Sequence, residues 1–189
     1  MSALLAEITW RPSIGDPGPI GWIITFSYLA AALFCVLAGR RHWLSLDTRL
    51  PWFWFALAAL MFLLGLNKQL DLQVLVAQVG REVARRDGWL QYRRLVQTAF
   101  VIAGAGVGIA GLAAAYYVIQ GRWKQFGLSF LGTVLLLAFV VIRAAYLSNV
   151  SKVMDKIPEA SHWINVGLEL SGTILVGLGA FLNVKAARR

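Results

Sequence analysis

Long apolar stretches alternate with polar connections along this chain, and the pattern predicts helices that cross a membrane. A helix needs about 20 mostly apolar residues to span the hydrocarbon. Backbone polar groups in lipid must be paired within the segment, and these stretches lack the alternation of barrel strands. The stretches lie at about 20–38, 51–66, 95–119, 126–147 and 163–184. The sequence therefore predicts an all-α integral membrane bundle of about five transmembrane helices, forming a single membrane domain over 1–189.

Composition supports this prediction and narrows the class of protein. Hydrophobic residues make up 59% of the chain and charged residues only 14%, whereas soluble proteins have about 25% charged residues. The only cysteine is Cys35, which excludes an intrachain disulfide and a multi-cysteine metal site. Tryptophans near the span ends are typical of an interfacial aromatic belt: Trp22, Trp43, Trp52, Trp123 and Trp163.

The connection after the second span has a helical pattern of its own. Its apolar residues follow one helical stripe, which predicts an amphipathic interfacial helix over about 70–87. Arg81 and Arg85 lie on its polar face. This stretch is either a helix that lies on the membrane surface or a long extension of span two. Its arginines either face lipid headgroups or form a basic patch that binds an anionic headgroup or a partner.

The net charge of +9 points to lipid rather than to nucleic acid, because the basic residues lie between apolar runs. The charges do not determine orientation, since eight Lys and Arg residues fall on one side and nine on the other. The short clusters at 40–41 and 185–189 favour an outside N-terminus and an inside C-terminus. A cytoplasmic loop at 68–94 would reverse this orientation.

Topology places a polar cluster in one leaflet whichever orientation is correct. With five spans, the end of span two, the start of span three, the end of span four and the start of span five lie on the same side. Polar residues concentrate at these four ends, whereas the opposite ends carry few polar groups within the spans. The candidate lipid- or partner-binding residues are those of this cluster and of the basic helix: Asn67, Gln69, Asp71, Arg81, Arg85, Gln97, Arg143, Asn165 and Glu169.

Arg143 and Glu169 stand out because each lies inside an apolar run. A charge within the membrane is costly and normally faces a partner or a water-filled cavity. The two residues are expected at similar depths on consecutive antiparallel helices, so they are candidate partners, with Asp71 as an alternative partner for Arg143. The alternative is a purely structural role, in which Arg143 snorkels to the headgroups and Glu169 makes a structural hydrogen bond. A metal site at Asp71, His162 and Glu169 is a weaker alternative.

Two apparent motifs are better explained by helix packing or by chance. Residues 106–111 match G-x-G-x-x-G, but they lie inside span three rather than between a strand and a helix. The pair Gly104 and Gly108, together with the glycines of span five at 172, 177 and 179, instead predicts close helix approach. A serine hydrolase triad is not indicated, because the chain has only two histidines and no serine has a credible His–Asp pairing.

The stretch Leu64-Gly-Leu-Asn-Lys-Gln-Leu-Asp-Leu-Gln73, followed by Gly80-Arg81, Gly88-Trp89, Arg93-Arg94 and Gln97, resembles a family of uncharacterised bacterial multi-pass membrane proteins over roughly residues 50–150. Some members carry an isopropylmalate isomerase label. Such dehydratases need several cysteines for an iron–sulfur cluster, and this chain has one, so the label does not suit it. Members commonly end span four in Arg-Ala-Ala-x-x-His-His-x-x-Asp; here the segment reads Arg143-Ala-Ala-Tyr-Leu-Ser-Asn149, without the histidines. The resemblance implies a bacterial inner membrane and gives no activity.

Two functional hypotheses follow. The first is a non-enzymatic accessory or interaction component that binds a lipid headgroup or partner membrane subunits. The alternative is a membrane-embedded enzyme acting on a lipid, with Asp71 or Glu169 as acid–base and Arg143 on an anionic headgroup. A small transporter is less favoured, since no inverted repeat is evident. The sequence identifies no cofactor.

Overall fold

The computed structural model describes residues 15–43, 49–70, 78–79, 88, 93–147 and 158–186. Within these ranges the protein is all-helical, with no strand, and contains five helices long and apolar enough to span a membrane. They are α1 (Pro19–His42), α2 (Arg49–Leu70), α3 (Arg93–Ile119), α4 (Trp123–Leu147) and α5 (Pro158–Ala186). The all-α fold predicted from the apolar runs is thereby confirmed. Most of the proposed amphipathic helix at 70–87 lies outside the described residues.

The helices extend past the predicted spans because helical backbone continues into the interfacial zone, where hydropathy falls. α2 starts at Arg49 and runs to Leu70, so the polar residues at 67–69 are part of the helix. α1 starts with Pro19, whose missing N–H is not needed at a first helical position, and it ends on a basic turn. Between α3 and α4, Gly121 adopts a φ of +80°, which permits a tight turn.

α1 occupies the centre of the packed region. It packs along α2 and α5, and α4 packs along α5 and also contacts α1 and α2 through the Phe126 ring. The buried core along these contacts includes Ile24, Tyr28, Trp54, Met61 and Val176. The chain direction puts the start of α1, the end of α2 and the start of α5 in one half of the bundle, here called the first leaflet. The opposite ends form the second leaflet.

Small residues allow α4 and α5 to approach closely. A Cβ added to Gly132 would lie 2.6 Å from the carbonyl oxygen of Gly172, and one added to Gly172 would lie 2.7 Å from Leu136 Cγ. Gly179 contacts Ser129 of α4 in the same way, and Gly177 faces Ala31 of α1. These glycines of α5 therefore lie at helix contacts, as small residues do in membrane interfaces.

α3 lies at the edge of the bundle. Its main contact is with α4, where Gly108 faces Leu137, and Arg49 of α2 lies over the Tyr117 ring at 5.4 Å. Only 6% of its most apolar segment is buried, compared with 28–39% for the other four spans of the described chain. An added Cβ at Gly104 would meet no described atom within 4 Å. Of the predicted glycine pair in α3, only Gly108 therefore serves a helix contact within the described chain.

Candidate functional site

A buried lysine joins three segments of the chain in the first leaflet. Lys68 Nζ lies 3.3 Å from Glu169 Oε2 and 3.2 Å from Asp16 Oδ2. The side chains of Lys68 and Glu169 are only 10% and 5% exposed, whereas that of Asp16 is 41% exposed. A buried charge is strongly destabilising without a partner. Lys68 and Glu169 can therefore occupy these positions only because each neutralises the charge of the other.

Local backbone features bring Asp16 to this position. The Gly15 N–H donates to the carbonyl oxygen of Gln69 at 2.7 Å, which ties the segment before α1 to the end of α2. Gly21 leaves room for Asp16, because a Cβ at that position would overlap the aspartate. A side chain at residue 21 would thus displace one of the two acids that Lys68 contacts.

Further hydrogen bonds extend the network from α2 and α5 into α1. The Tyr28 hydroxyl donates to Glu169 Oε1 at 3.3 Å, so both carboxylate oxygens of Glu169 have partners. Gln69 Nε2 donates to Thr25 Oγ1 at 2.9 Å. Ser27 Oγ and Thr173 Oγ1 are 3.0 Å apart, which links α1 to α5 one turn deeper. We call Asp16, Thr25, Tyr28, Lys68, Gln69 and Glu169 the ionic clasp.

Two amide oxygens beside the ionic clasp are buried without a hydrogen-bond partner among the described residues. They are Gln69 Oε1 and Asn165 Oδ1. An unpaired buried acceptor costs roughly 1–3 kcal/mol. These two oxygens are consequently the places where the network would gain most from an additional donor.

The structure describes six of the nine candidate site residues at least in part. Gln69 and Glu169 both belong to the ionic clasp. Asn67, near the end of α2, and Asn165, near the start of α5, are half-buried in the same leaflet. Arg143 is half-buried on α4, within electrostatic range of the Tyr28 hydroxyl. Gln97 lies in α3, and its side chain is outside the description. Asp71, Arg81 and Arg85 lie outside the described residues.

Several clasp residues were not expected from the sequence. From the sequence, Lys68 is only one of the basic residues in the connection after span two, and Glu169 is a candidate partner of Arg143. In the structure, Glu169 forms its ion pair with Lys68. Asp16, Thr25 and Tyr28 carry no motif. The sequence did contain a signal for Lys68. It lies between Asn67 and Gln69 at the end of span two, in the leaflet where topology also places Asp16 and Glu169.

The second leaflet holds a smaller polar cluster, of which only Asn183 lies within a predicted span. His42 Nε2 and Asn183 Oδ1 are 3.0 Å apart, and Asn183 Nδ2 donates to the carbonyl oxygen of Gln125 at 2.8 Å. Asn183 is buried. We call these three residues the amide clasp, because an asparagine side chain joins the ends of α1, α4 and α5. A single asparagine in an apolar run was its only sequence signal.

The chemistry of these clusters is that of helix association. No group of three or more His, Cys, Asp or Glu side chains that could hold a metal is found in the described ranges. Glu169 is engaged by Lys68 and Tyr28, so both of its carboxyl oxygens are used in contacts between helices. The ionic clasp joins α1, α2 and α5, and the amide clasp joins α1, α4 and α5.

The chain matches no protein-family model, no curated protein and no solved structure. Its class rests on the fold, which is that of a multi-pass α-helical membrane protein. The family resemblance noted in the sequence stays a prediction.

Proposed function

We propose that this chain is a non-enzymatic accessory subunit of the bacterial inner membrane, which binds a partner membrane protein along α3. The observation that carries the proposal is the low burial of α3 next to a firmly joined α1–α2–α5–α4 scaffold. In this proposal the short basic clusters orient the chain with its N-terminus outside and its C-terminus in the cytoplasm.

A row of small residues lies on the exposed surface of α3. Gly106, Ala110 and Ala114 follow i, i+4, i+8 spacing on the face opposite α4, and all three are exposed. Larger exposed side chains such as Val107 and Ile109 flank this row. Helices associate in lipid through close backbone packing, which small residues permit and large ones prevent. We call this row the docking face; a helix of a partner subunit fits it.

The engagement of Glu169 favours the accessory function over the enzymatic alternative. A lipid-acting enzyme built on Asp71, Arg143 and Glu169 would need a carboxylate free to exchange protons with substrate. Both oxygens of Glu169 are already bound by Lys68 and Tyr28, and Asp71 lies outside the described residues. The polar leaflet therefore supports a scaffold better than a catalytic pocket.

Affinity purification from native membranes tests the proposal. Tagged wild-type protein is compared with two variants. Gly106→Ile/Ala110→Ile fills the docking face, and the control Ala30→Ile adds one isoleucine on an exposed part of α1. We expect one or more membrane proteins to co-purify with wild type and Ala30→Ile, and to fall about tenfold with the docking-face variant, as for a loss of about 1.4 kcal/mol.

Equal recovery with all three proteins would contradict the proposal, as would wild type that emerges as a clean monomer. Co-purification of two differently tagged copies of this chain, lost in the docking-face variant, would replace the accessory subunit with a self-assembling protein.

A further inference from the structure

A groove on the membrane-facing surface runs between α1 and α2, away from both clasps. It is an open groove with a volume of about 440 Å³. Its walls are entirely apolar and come from one stripe of each helix: Leu29, Ala32, Leu33, Val36, Phe55, Ala58, Ala59 and Phe62.

Small side chains between larger ones create this groove. Ala32, Ala58 and Ala59 form its floor, while the bulkier leucines and phenylalanines form its edges. Phe55 is held at one end because Gly39 lacks a Cβ, which would lie 2.9 Å from the Phe55 ring. The groove is thus built into the α1–α2 contact.

The stripe that lines the groove on α1 continues to the membrane surface and becomes basic there. Leu29, Leu33, Val36 and Arg40 follow i, i+4, i+7, i+11 spacing, so exposed Arg40 lies on the same face one turn beyond the apolar wall. The eleven residue steps from Leu29 to Arg40 rise about 16–17 Å. That length matches one hydrocarbon leaflet, about half of 30 Å.

Aromatic residues mark the mouth of the groove at headgroup level. The ring of Trp43 lies 5.9 Å from Phe55 and 6.4 Å from Trp52, and both tryptophans are exposed. Tryptophan prefers the membrane–water interface. One end of the groove therefore lies at the interface beside a cation, and the other ends near the bilayer centre.

We propose that this groove binds one anionic phospholipid, with an acyl chain along the apolar walls and the phosphate at Arg40. The apolar groove and the cation one turn beyond it together span about one leaflet, which complements a lipid, whereas a partner helix would need a surface across the whole bilayer. The Arg40 guanidinium donates hydrogen bonds to phosphate oxygens. This site does not depend on docking along α3.

Native mass spectrometry of the detergent-solubilised protein, titrated with dioleoylphosphatidylglycerol or dioleoylphosphatidylcholine, tests the site. Arg40→Gln removes the headgroup cation, and Ala59→Phe fills the groove. Each has a matched control, Arg41→Gln on the neighbouring exposed arginine and Ala56→Phe on an exposed alanine of α2 outside the groove.

Wild type is expected to retain one phosphatidylglycerol more strongly than phosphatidylcholine. Arg40→Gln should weaken phosphatidylglycerol retention about fivefold, the effect of one interfacial charge, and Ala59→Phe should abolish retention of both lipids. The two controls should behave as wild type. The proposal is overturned if wild type does not prefer phosphatidylglycerol, if Arg40→Gln weakens it no more than Arg41→Gln, or if Ala59→Phe retains lipid like Ala56→Phe.

Discussion

α2 and α3 have almost the same apolar character, with mean hydropathies of 1.7 and 1.8 in their most apolar segments, yet they are held in the bundle differently. In α2 that segment is 39% buried, and Lys68 at its end is bound to Asp16 and Glu169. In α3 the corresponding segment is 6% buried, and an added Cβ at three of its four glycines, at 104, 106 and 111, would meet no described atom within 4 Å. Hydropathy thus determines that both helices enter a membrane, whereas a few polar and glycine contacts determine which helices form the scaffold.

The largest expected effect comes from breaking the ionic clasp. Lys68→Met leaves buried Glu169 without its cation, so we expect a loss of about 3–5 kcal/mol in the free energy of unfolding. The measurement is SDS-induced unfolding in mixed micelles, followed by circular dichroism. Lys124→Met, which removes an exposed lysine of α4, is the control and should be nearly neutral.

A double substitution sharpens this test. Lys68→Met/Glu169→Met removes both buried charges, and an apolar replacement of a buried pair is often close to neutral. More than half of the stability lost in Lys68→Met should return. If the double variant is as unstable as the two single losses added together, the ion pair is not the interaction that matters at this position.

Glycine substitutions compare the scaffold with α3 directly. Gly132→Ala forces a methyl group against the Gly172 carbonyl and the Val176 backbone nitrogen, at 2.6 and 2.8 Å, so α4 and α5 must separate. We expect a loss of about 1–3 kcal/mol, as for an overpacked core. Gly111→Ala on α3, where an added Cβ meets no described atom within 4 Å, should be neutral in the same unfolding assay. Equal losses would erase the proposed difference between the two regions.

The amide clasp is expected to contribute less. Asn183→Leu removes the bonds to His42 and to the Gln125 carbonyl, and interhelical hydrogen bonds in membranes are worth about 0.6 kcal/mol on average, with a maximum near 1.7. A loss of about 1 kcal/mol is therefore expected. A double-mutant cycle with His42→Ala measures the coupling, and additive losses would show that the two side chains do not interact.

The smallest effect on stability is expected on the docking face. Gly106→Ile/Ala110→Ile should change the free energy of unfolding of the isolated protein by less than about 0.5 kcal/mol, because both positions are exposed. Measured by the same SDS titration, this near-neutrality would separate lost partner capture from misfolding. A large loss would place these residues inside the bundle instead.

The sequence predicts the helices and the leaflet of Glu169, but not the contacts that join them. Apolar runs long enough to cross a membrane have to be helical, and the two spans between α2 and α5 bring the end of α2 and the start of α5 to the same side. Whether Glu169 meets Lys68 or Arg143 depends on the rotation of each helix about its axis, which hydropathy does not report. The low burial of α3 likewise cannot be predicted from composition. Glycine and alanine occur both at helix contacts such as Gly108–Leu137 and in the exposed row of the docking face.

Photocrosslinking in native membranes tests the central contrast most directly. A photoreactive phenylalanine analogue is placed at Tyr117, three residues beyond Ala114 at the end of the docking face beside Arg49, or at Phe26 of α1; both side chains are aromatic and 62% exposed. The scaffold-and-docking account predicts a discrete protein adduct from position 117 and only lipid adducts from position 26. Lipid adducts alone from both positions, or the same protein adduct from both, would contradict it.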